Sequence, residues 1–148
     1  MTPTQFLKRA FYIRLQIKDV DERIEQIRHR MSSVGAIRYD KINVQSSPDD
    51  PMLSNIAKLM EAEQKLIELE AQLETVSAEI RAKINEMDNE LYKTILIKRY
   101  IYNKPIKRIA YDINYSLDWT WDLHRRALKA FNEVLNPGQD GQQRPMIL

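Results

Sequence analysis

Apolar residues recur through the first part of the chain at alternating steps of four and three positions, from Phe6 to Met31. This spacing is typical of the a/d seam of a left-handed coiled coil. Charged residues of both signs occupy the positions between, as they do on a solvated helix face. The pattern predicts a first helix whose seam consists of Phe6, Ala10, Ile13, Ile17, Val20, Ile24, Ile27 and Met31.

Residues 32–50 interrupt this periodicity. Ser32, Ser33 and Gly35 predict the end of the first helix. A connection of this length is unusual without local structure or a function of its own. Asp50 and Pro51 then predict a helix start, because a capping carboxylate followed by proline is favoured there.

The second predicted helix is long, because neither Gly nor Pro occurs between residues 51 and 105. Its seam shifts register between Ile80 and Ile95, so we expect the helix to bend or change its packing partner there. Apolar residues recur every seven positions at Leu59, Leu66, Leu73, Ile80 and Met87.

Two such helices predict an antiparallel coiled-coil hairpin over residues 1–88, with the loop 32–50 between them. Two helices alone do not enclose a core, so we expect a homodimer with four packed helices. The tail 136–148 is rich in Gly, Pro and Gln and is predicted to be disordered. The predicted coil and dimer seam is Ile13, Ile17, Val20, Ile24, Ile27, Leu59, Leu66, Leu73 and Ile80.

Residues 89–135 are predicted to form a helix-turn-helix domain. Ala110 is the small residue needed where the two helices touch, and Asn114 suits the left-handed turn four residues later. Ser116 is a favoured N-cap for the second helix. The predicted fold is therefore all-α, a coiled-coil hairpin followed by a C-terminal helix-turn-helix domain. Helices are expected at 105–113 and 117–135, and the predicted buried positions are Ile109, Ala110, Ile113, Thr120, Leu123 and Ala127.

The net charge is only +2, but it is unevenly distributed. Residues 51–88 contain four Lys or Arg against eight acids, whereas residues 89–135 contain nine bases against five acids. A basic segment beside an acidic one points to a polyanionic partner of the C-terminal part.

The stretch LIKRYIYNKPIKRIAYDINYSLDWTWDLHRRALKAF resembles region 4 of bacterial sigma factors, the segment that reads promoter DNA. The whole chain is similar to small phage proteins related to late-gene transcription activators of the RinA/ArpU kind. Residues 39–52, YDKINVQSSPDDPM, match a loop of that group. The features shared with region 4 are Arg99-Tyr100, Ile109-Ala110, Ser116 and Arg126-Ala127-Leu128.

This resemblance implies a phage or prophage regulator of transcription in the cytoplasm of a bacterial host. It implies duplex DNA as a partner and RNA polymerase as a further candidate. The positions that face bases in region 4 match Leu117, Asp118, Trp121 and Asp122 here; only Asp118 keeps the chemical type, as an acid that accepts from cytosine N4. The phosphate-contacting candidates are Lys104, Lys107, Arg108, Arg125, Arg126 and Lys129.

Other interpretations stay open. The same cations also fit an ordinary solvated face. Trp119 and Trp121 point in nearly opposite directions on one helix, so at least one is expected to pack against protein. Besides a DNA-binding regulator, the sequence allows a protein-interaction module that binds RNA polymerase or a host factor. It also allows a phage packaging component similar to a small terminase.

No catalytic constellation is visible. The chain has no Cys, and His29 and His124 are far apart. It contains no HExxH, GxGxxG or phosphate-loop motif. We therefore expect neither an enzyme nor a bound cofactor or metal. No apolar run reaches the ~20 residues of a membrane span, and we expect no membrane partner.

Overall fold

The computed structural model describes residues 1–38 and 50–138, with the side chains of 1–33 and 50–138. Within these ranges all regular elements are helical and there is no strand, which confirms the predicted all-α class. None of the helices there has the length and apolar character needed to cross a membrane. The elements are α1 (Pro3–Leu7), α2 (Arg9–Arg38), α3 (Pro51–Asn85), α4 (Glu90–Leu96) continued by a π-helical turn (Ile97–Ile101), α5 (Ile106–Ile113) and α6 (Leu117–Leu135).

The prediction that Ser32, Ser33 and Gly35 end the first helix is wrong. Helix α2 continues through all three residues and ends at Arg38. Serine and glycine lower helix propensity by ~1 kcal/mol or less, and unlike proline they keep the backbone donor. These residue types therefore do not by themselves end a helix.

The predicted start of the second long helix is confirmed. The side chain of Asp50 accepts a hydrogen bond from the backbone N–H of Met52 at 2.9 Å, and Pro51 is the first residue of α3. The rest of the connection, residues 39–49, lies outside the described residues. So does the tail beyond residue 138.

Helix α3 ends where the seam shifts register, and the bend expected there is a complete break. The N–H of Met87 bonds the carbonyl of Ile84 at 3.0 Å, which tightens the last turn. Asn89 then caps α4, accepting a hydrogen bond from the N–H of Tyr92 at 3.1 Å. The chain therefore changes direction without Gly or Pro.

The described residues between 13 and 73, which are 13–38 and 50–73, form one compact unit. Arg28 and Glu63 form an ion pair at 3.0 Å within it. The predicted seam residues Ile17, Leu59, Leu66 and Leu73 are only half-buried. The residues buried in this unit are Ile13, Val20, Ile24, Ile27, Asn55, Ala62 and Leu69.

The second compact unit combines residues 1–12 with residues 74–138 of the described chain. Helix α6 is its centre, because α1, α4 and α5 all pack against it. The rings of Phe6 and Phe131 lie 5.8 Å apart, and Arg9 pairs with Glu79 at 3.0 Å. This unit contains both the N-terminal segment, residues 1–12, and the basic C-terminal segment. A functional division of the chain at residue 88 stays a prediction.

Candidate nucleic-acid interface

Helices α5 and α6 are joined by a turn whose backbone is closed by two hydrogen bonds. Asn114 adopts the left-handed conformation, with φ 61° and ψ 39°. Its N–H bonds the carbonyl of Tyr111 at 3.3 Å, and the N–H of Tyr115 bonds that of Ala110 at 3.1 Å. This pair of bonds is the Schellman motif, which ends a helix and redirects the chain.

The start of α6 is fixed by Ser116. Its hydroxyl accepts a hydrogen bond from the N–H of Trp119 at 3.1 Å. The hydroxyl of Thr120 donates to the carbonyl of Ser116 at 2.7 Å, so this fully buried Thr leaves no polar group unpaired.

The residues predicted to hold the two helices together do meet. Leu123 of α6 forms a cluster with Ile106 and Ile109 of α5, and Ile95 of α4 closes it. Ile113 packs at the edge of this cluster and is half-buried. Ala110, Thr120 and Ala127 are buried as well.

The first two turns of α6 present the four residues predicted to face bases. Leu117 is 44% exposed and Trp121 is 43% exposed, and Asp118 is exposed too. Asp122 differs, because its carboxylate lies 2.9 Å from Nε of Arg126 and 3.5 Å from Nη2 of Arg125. This carboxylate therefore pairs with two of the side chains that are predicted to contact phosphates. Such half-exposed pairs are worth ~1 kcal/mol or less, so a competing anion can replace the acid.

Each tryptophan ring contacts another side chain of α6. The guanidinium of Arg126 lies 4.8 Å from the centre of the Trp119 ring, a distance at which a cation is attracted to the π-face. The Trp121 ring meets the His124 ring edge-on at 5.8 Å. Both indoles keep about two fifths of their surface exposed.

Asp112 organises the cations at the start of α5. Its carboxylate lies 3.0 Å from Nζ of Lys104, 3.4 Å from Nζ of Lys98 and 3.5 Å from Nε of Arg108. The hydrogen bond from Lys104, and then that from Lys98, lowers the pKa of this carboxyl group. Three cations surround one acid, so the cluster keeps a positive excess. Arg108 also lies over the ring of Tyr111, 5.4 Å from its centre.

Lys107 and Lys129 complete the predicted phosphate set. Both are exposed, and neither forms an ion pair with another residue in the described ranges. The six cations predicted to contact phosphates therefore differ in whether a carboxylate positions them. Lys104, Arg108, Arg125 and Arg126 are positioned by carboxylates, whereas Lys107 and Lys129 project into solvent.

Tyr100 and His124 form a buried pair that the sequence did not predict. The Tyr100 hydroxyl lies 2.8 Å from Nε2 of His124, and the rings stack at 5.8 Å. Burial, and then the charges of Arg99 and Arg125, lowers the pKa of His124 to about 4. Burial also raises the pKa of Tyr100. The pair is thus neutral at pH 7 and fixes α6 against the π-helical turn.

One signal for His124 was present in the sequence. It lies four residues after Thr120 and three before Ala127, which places it on the buried face of α6. Its partner Tyr100, 24 residues earlier, has no such local signal. Over residues 1–38 and 50–138, no group of three or more His, Cys, Asp or Glu residues is placed to hold a metal ion.

Comparison of the sequence with protein-family models and with curated proteins, and of the structure with solved structures, finds no match.

Proposed function

We propose that this chain is a duplex-DNA-binding transcription regulator of phage or prophage origin, a late-gene activator that works as a homodimer. One observation carries the proposal. The left-handed conformation of Asn114 and the burial of Ala110 and Thr120 meet the requirements of a helix-turn-helix and support this proposal. This geometry leaves the first turns of α6 exposed beside cations, as an element that enters the major groove requires.

The charged surface of α5 and α6 is better suited to contacting the phosphates of a duplex than to recognising its guanines. Lys107 and Lys129 are available to phosphates, and Lys104 and Arg108 carry the excess charge around Asp112. No Arg stands among the four base-facing positions, so bidentate guanine contacts are not available there. Phosphate contacts position a duplex without specifying its sequence. Specificity then rests on Asp118, on the exposed indole of Trp121, and on the spacing of two domains in a dimer.

An antiparallel hairpin is the proposed dimerisation arm. Arg28 of α2 pairs with Glu63 of α3 within the unit of residues 13–73, which supports two helices that lie side by side there. Met60 and Ile67 of α3 are 66% and 60% exposed. A second chain would cover them.

The test is a fluorescence-anisotropy titration of labelled phage promoter duplex at salt concentrations from ~50 to ~200 mM. We expect the logarithm of the binding constant to fall linearly with the logarithm of the salt concentration. Lys107→Gln should make this slope shallower by ~0.9, the contribution of one phosphate contact. Lys58→Gln, a change of the same kind at an exposed site of α3, should leave it unchanged. Binding no tighter than ~10⁻⁵ M without salt dependence would refute the proposal.

A protein-interaction module is the second candidate, and the tip of α6 favours it. Leu117 and Trp121 are both exposed there, and Asp122 neutralises the nearest arginines. Aromatic residues such as Trp121 are enriched in the cores of protein interfaces. Capture of RNA polymerase or another host protein from bacterial lysate, retained after nuclease treatment, would support this candidate over the first.

A further inference from the structure

A cavity of about 120 Å³ opens beside the π-helical turn, within the compact unit that contains residues 1–12 and the C-terminal helices. The described residues that line it include two cations, one amide and two aromatic rings, and no acid. The lining residues are Lys8, Phe11, Arg99, Tyr100 and Asn103.

The π-helical turn brings three of these residues to one cavity. The N–H of Tyr102 bonds the carbonyl of Ile97 at 3.0 Å, five residues back, which is the π-helical spacing. Asn103 follows with a left-handed φ of 55°. The N–H of Lys104 then closes the turn on the carbonyl of Lys98 at 3.0 Å. A non-Gly residue in this conformation costs ~1 kcal/mol, and such strain is common at binding sites.

Among the described residues, no acid pairs with the two cations of the cavity. Lys8 and Arg99 are half-buried, and neither makes an ion pair with any residue of the described ranges. Arg99 donates one hydrogen bond, from Nη1 to the carbonyl of Lys104 at 3.2 Å, which fixes its guanidinium. Burial is the main cause of the lowered pKa of His124, and the positive charges of Arg99 and Arg125 lower it further. Partly desolvated cations of this kind favour a bound anion.

We propose that this cavity binds a phosphate group, with Lys8 and Arg99 supplying the charge and the Asn103 amide a further donor. Its volume equals about four waters at ~30 Å³ each. It is well below the ~300 Å³ of pockets that enclose drug-sized ligands. The site therefore suits a single oxyanion and excludes a whole nucleotide.

Two sources can supply the bound phosphate group: the backbone of DNA, or free inorganic phosphate. The two experimental arms distinguish them. Binding of a DNA phosphate rests on the proposed function, whereas the anion site itself does not. If DNA is the source, the N-terminal segment joins the interface through Lys8, which lies outside the six predicted cations.

The first arm titrates inorganic phosphate into the full chain and follows backbone amide signals by NMR, with chloride at matched ionic strength as the blank. We expect saturable shifts at Lys8, Arg99 and Asn103, and about tenfold weaker binding in Lys8→Gln, which loses one charge-assisted hydrogen bond. Lys18→Gln, at an exposed lysine of α2, is the matched control. Shifts that do not saturate, or equal affinity in Lys8→Gln and wild type, overturn the site.

Asn103→Gly gives a second test that keeps the fold. Glycine adopts a φ of 55° without strain, so this variant keeps the turn and removes only the amide. We expect it to weaken phosphate binding severalfold while the far-UV circular dichroism is unchanged. Unaltered phosphate affinity in Asn103→Gly would likewise count against the cavity as the site.

The second arm measures the salt dependence of duplex binding. With DNA as the source, Lys8→Gln makes the slope shallower by ~0.9 and Lys18→Gln does not. If Lys8→Gln leaves the slope of duplex binding unchanged while the wild-type chain binds inorganic phosphate, the ligand is free phosphate. This result supports the proposed anion site. If the chain binds no duplex at all, the proposed function fails and the phosphate arm still decides the site.

Discussion

The hydroxyl of Tyr100 and Nε2 of His124 lie 2.8 Å apart inside the C-terminal unit, and together they join the π-helical turn to α6. The pKa of His124 is lowered from 6.5 to about 4 by burial. The unfolded chain therefore binds this proton at a higher pH than the folded chain does. Its effect on stability is absent above pH ~6.5 and appears as the pH falls toward ~4.

We predict that acid destabilises the fold through this imidazole by about 2 kcal/mol, after allowance for solvent screening. The measurement is urea unfolding at pH 7 and near pH 4.5 for wild type and His124→Gln. The variant should lose less stability than wild type between the two pH values. His29→Gln, at an exposed His, serves as control and should behave like wild type. Equal pH dependence in all three proteins would contradict the prediction.

Tyr100→Phe tests the hydrogen bond itself. The change keeps the ring and leaves a buried nitrogen of His124 without its partner. We expect a loss of about 1–3 kcal/mol in the free energy of unfolding. Tyr115→Phe removes a hydroxyl from an exposed ring in the turn and should change stability little. A loss below about half a kcal/mol in Tyr100→Phe would mean that water replaces the hydroxyl.

Substitutions of Asn114 distinguish the contribution of the left-handed backbone from that of the side chain at the turn. Its φ of 61° suits glycine better than any residue with a Cβ. We expect Asn114→Ala to lose about 1 kcal/mol of stability and Asn114→Gly to match or exceed wild type. Thermal unfolding followed by circular dichroism measures both. Equal stability of the two variants would show that the left-handed turn contributes nothing.

Asp122→Asn releases Arg125 and Arg126 from their shared carboxylate. If these arginines grip phosphates, duplex binding should tighten about fivefold at low salt, since an exposed pair is worth up to ~1 kcal/mol. Glu133→Gln removes the same charge from a distant part of α6 and accounts for the general effect of net charge. Equal gains in the two variants, or weaker binding in Asp122→Asn, would argue against this role of the arginines.

Ile67→Glu tests the proposed dimer. It places a charge on an exposed apolar position of α3, so a chain paired there should dissociate. We expect the native mass from light scattering to fall from two chains to one at micromolar concentration. Gln64→Glu adds the same charge at an exposed polar position and should keep the dimer. A wild-type mass of one chain, or one well above two, would contradict the proposed assembly.

The ends of α5 and α6 were predictable because local chemistry sets them. Ser116 caps its own helix, and Asn114 is among the few residues that tolerate the turn, so both signals lie within a few residues of their effect. The buried contact of Thr120 followed from spacing alone. The same local reasoning failed at Gly35, where a weak helix former was mistaken for an end of α2.

Long-range features could not be predicted in the same way. The pairing of Tyr100 with His124 depends on the extra residue in the π-helical turn, which no periodicity announces. The break after Asn85 was signalled only by a shift of register, although Asn89 is a good capping residue. The cavity beside Lys8 depends on where the N-terminal segment packs. Each of these features is decided by tertiary contacts.

The π-helical turn has a consequence for how this chain tolerates insertions and deletions. Removing one residue from Ile97–Ile101 would restore regular α-helical hydrogen bonds, so the helix itself would survive. Because a π-helical turn accommodates its extra residue locally, α4 before it would keep its orientation, and only the residues within the turn would change position. Such a chain would keep its helical content and its circular dichroism while Tyr100 lost its alignment with His124. Length is therefore as stringent a requirement here as residue identity.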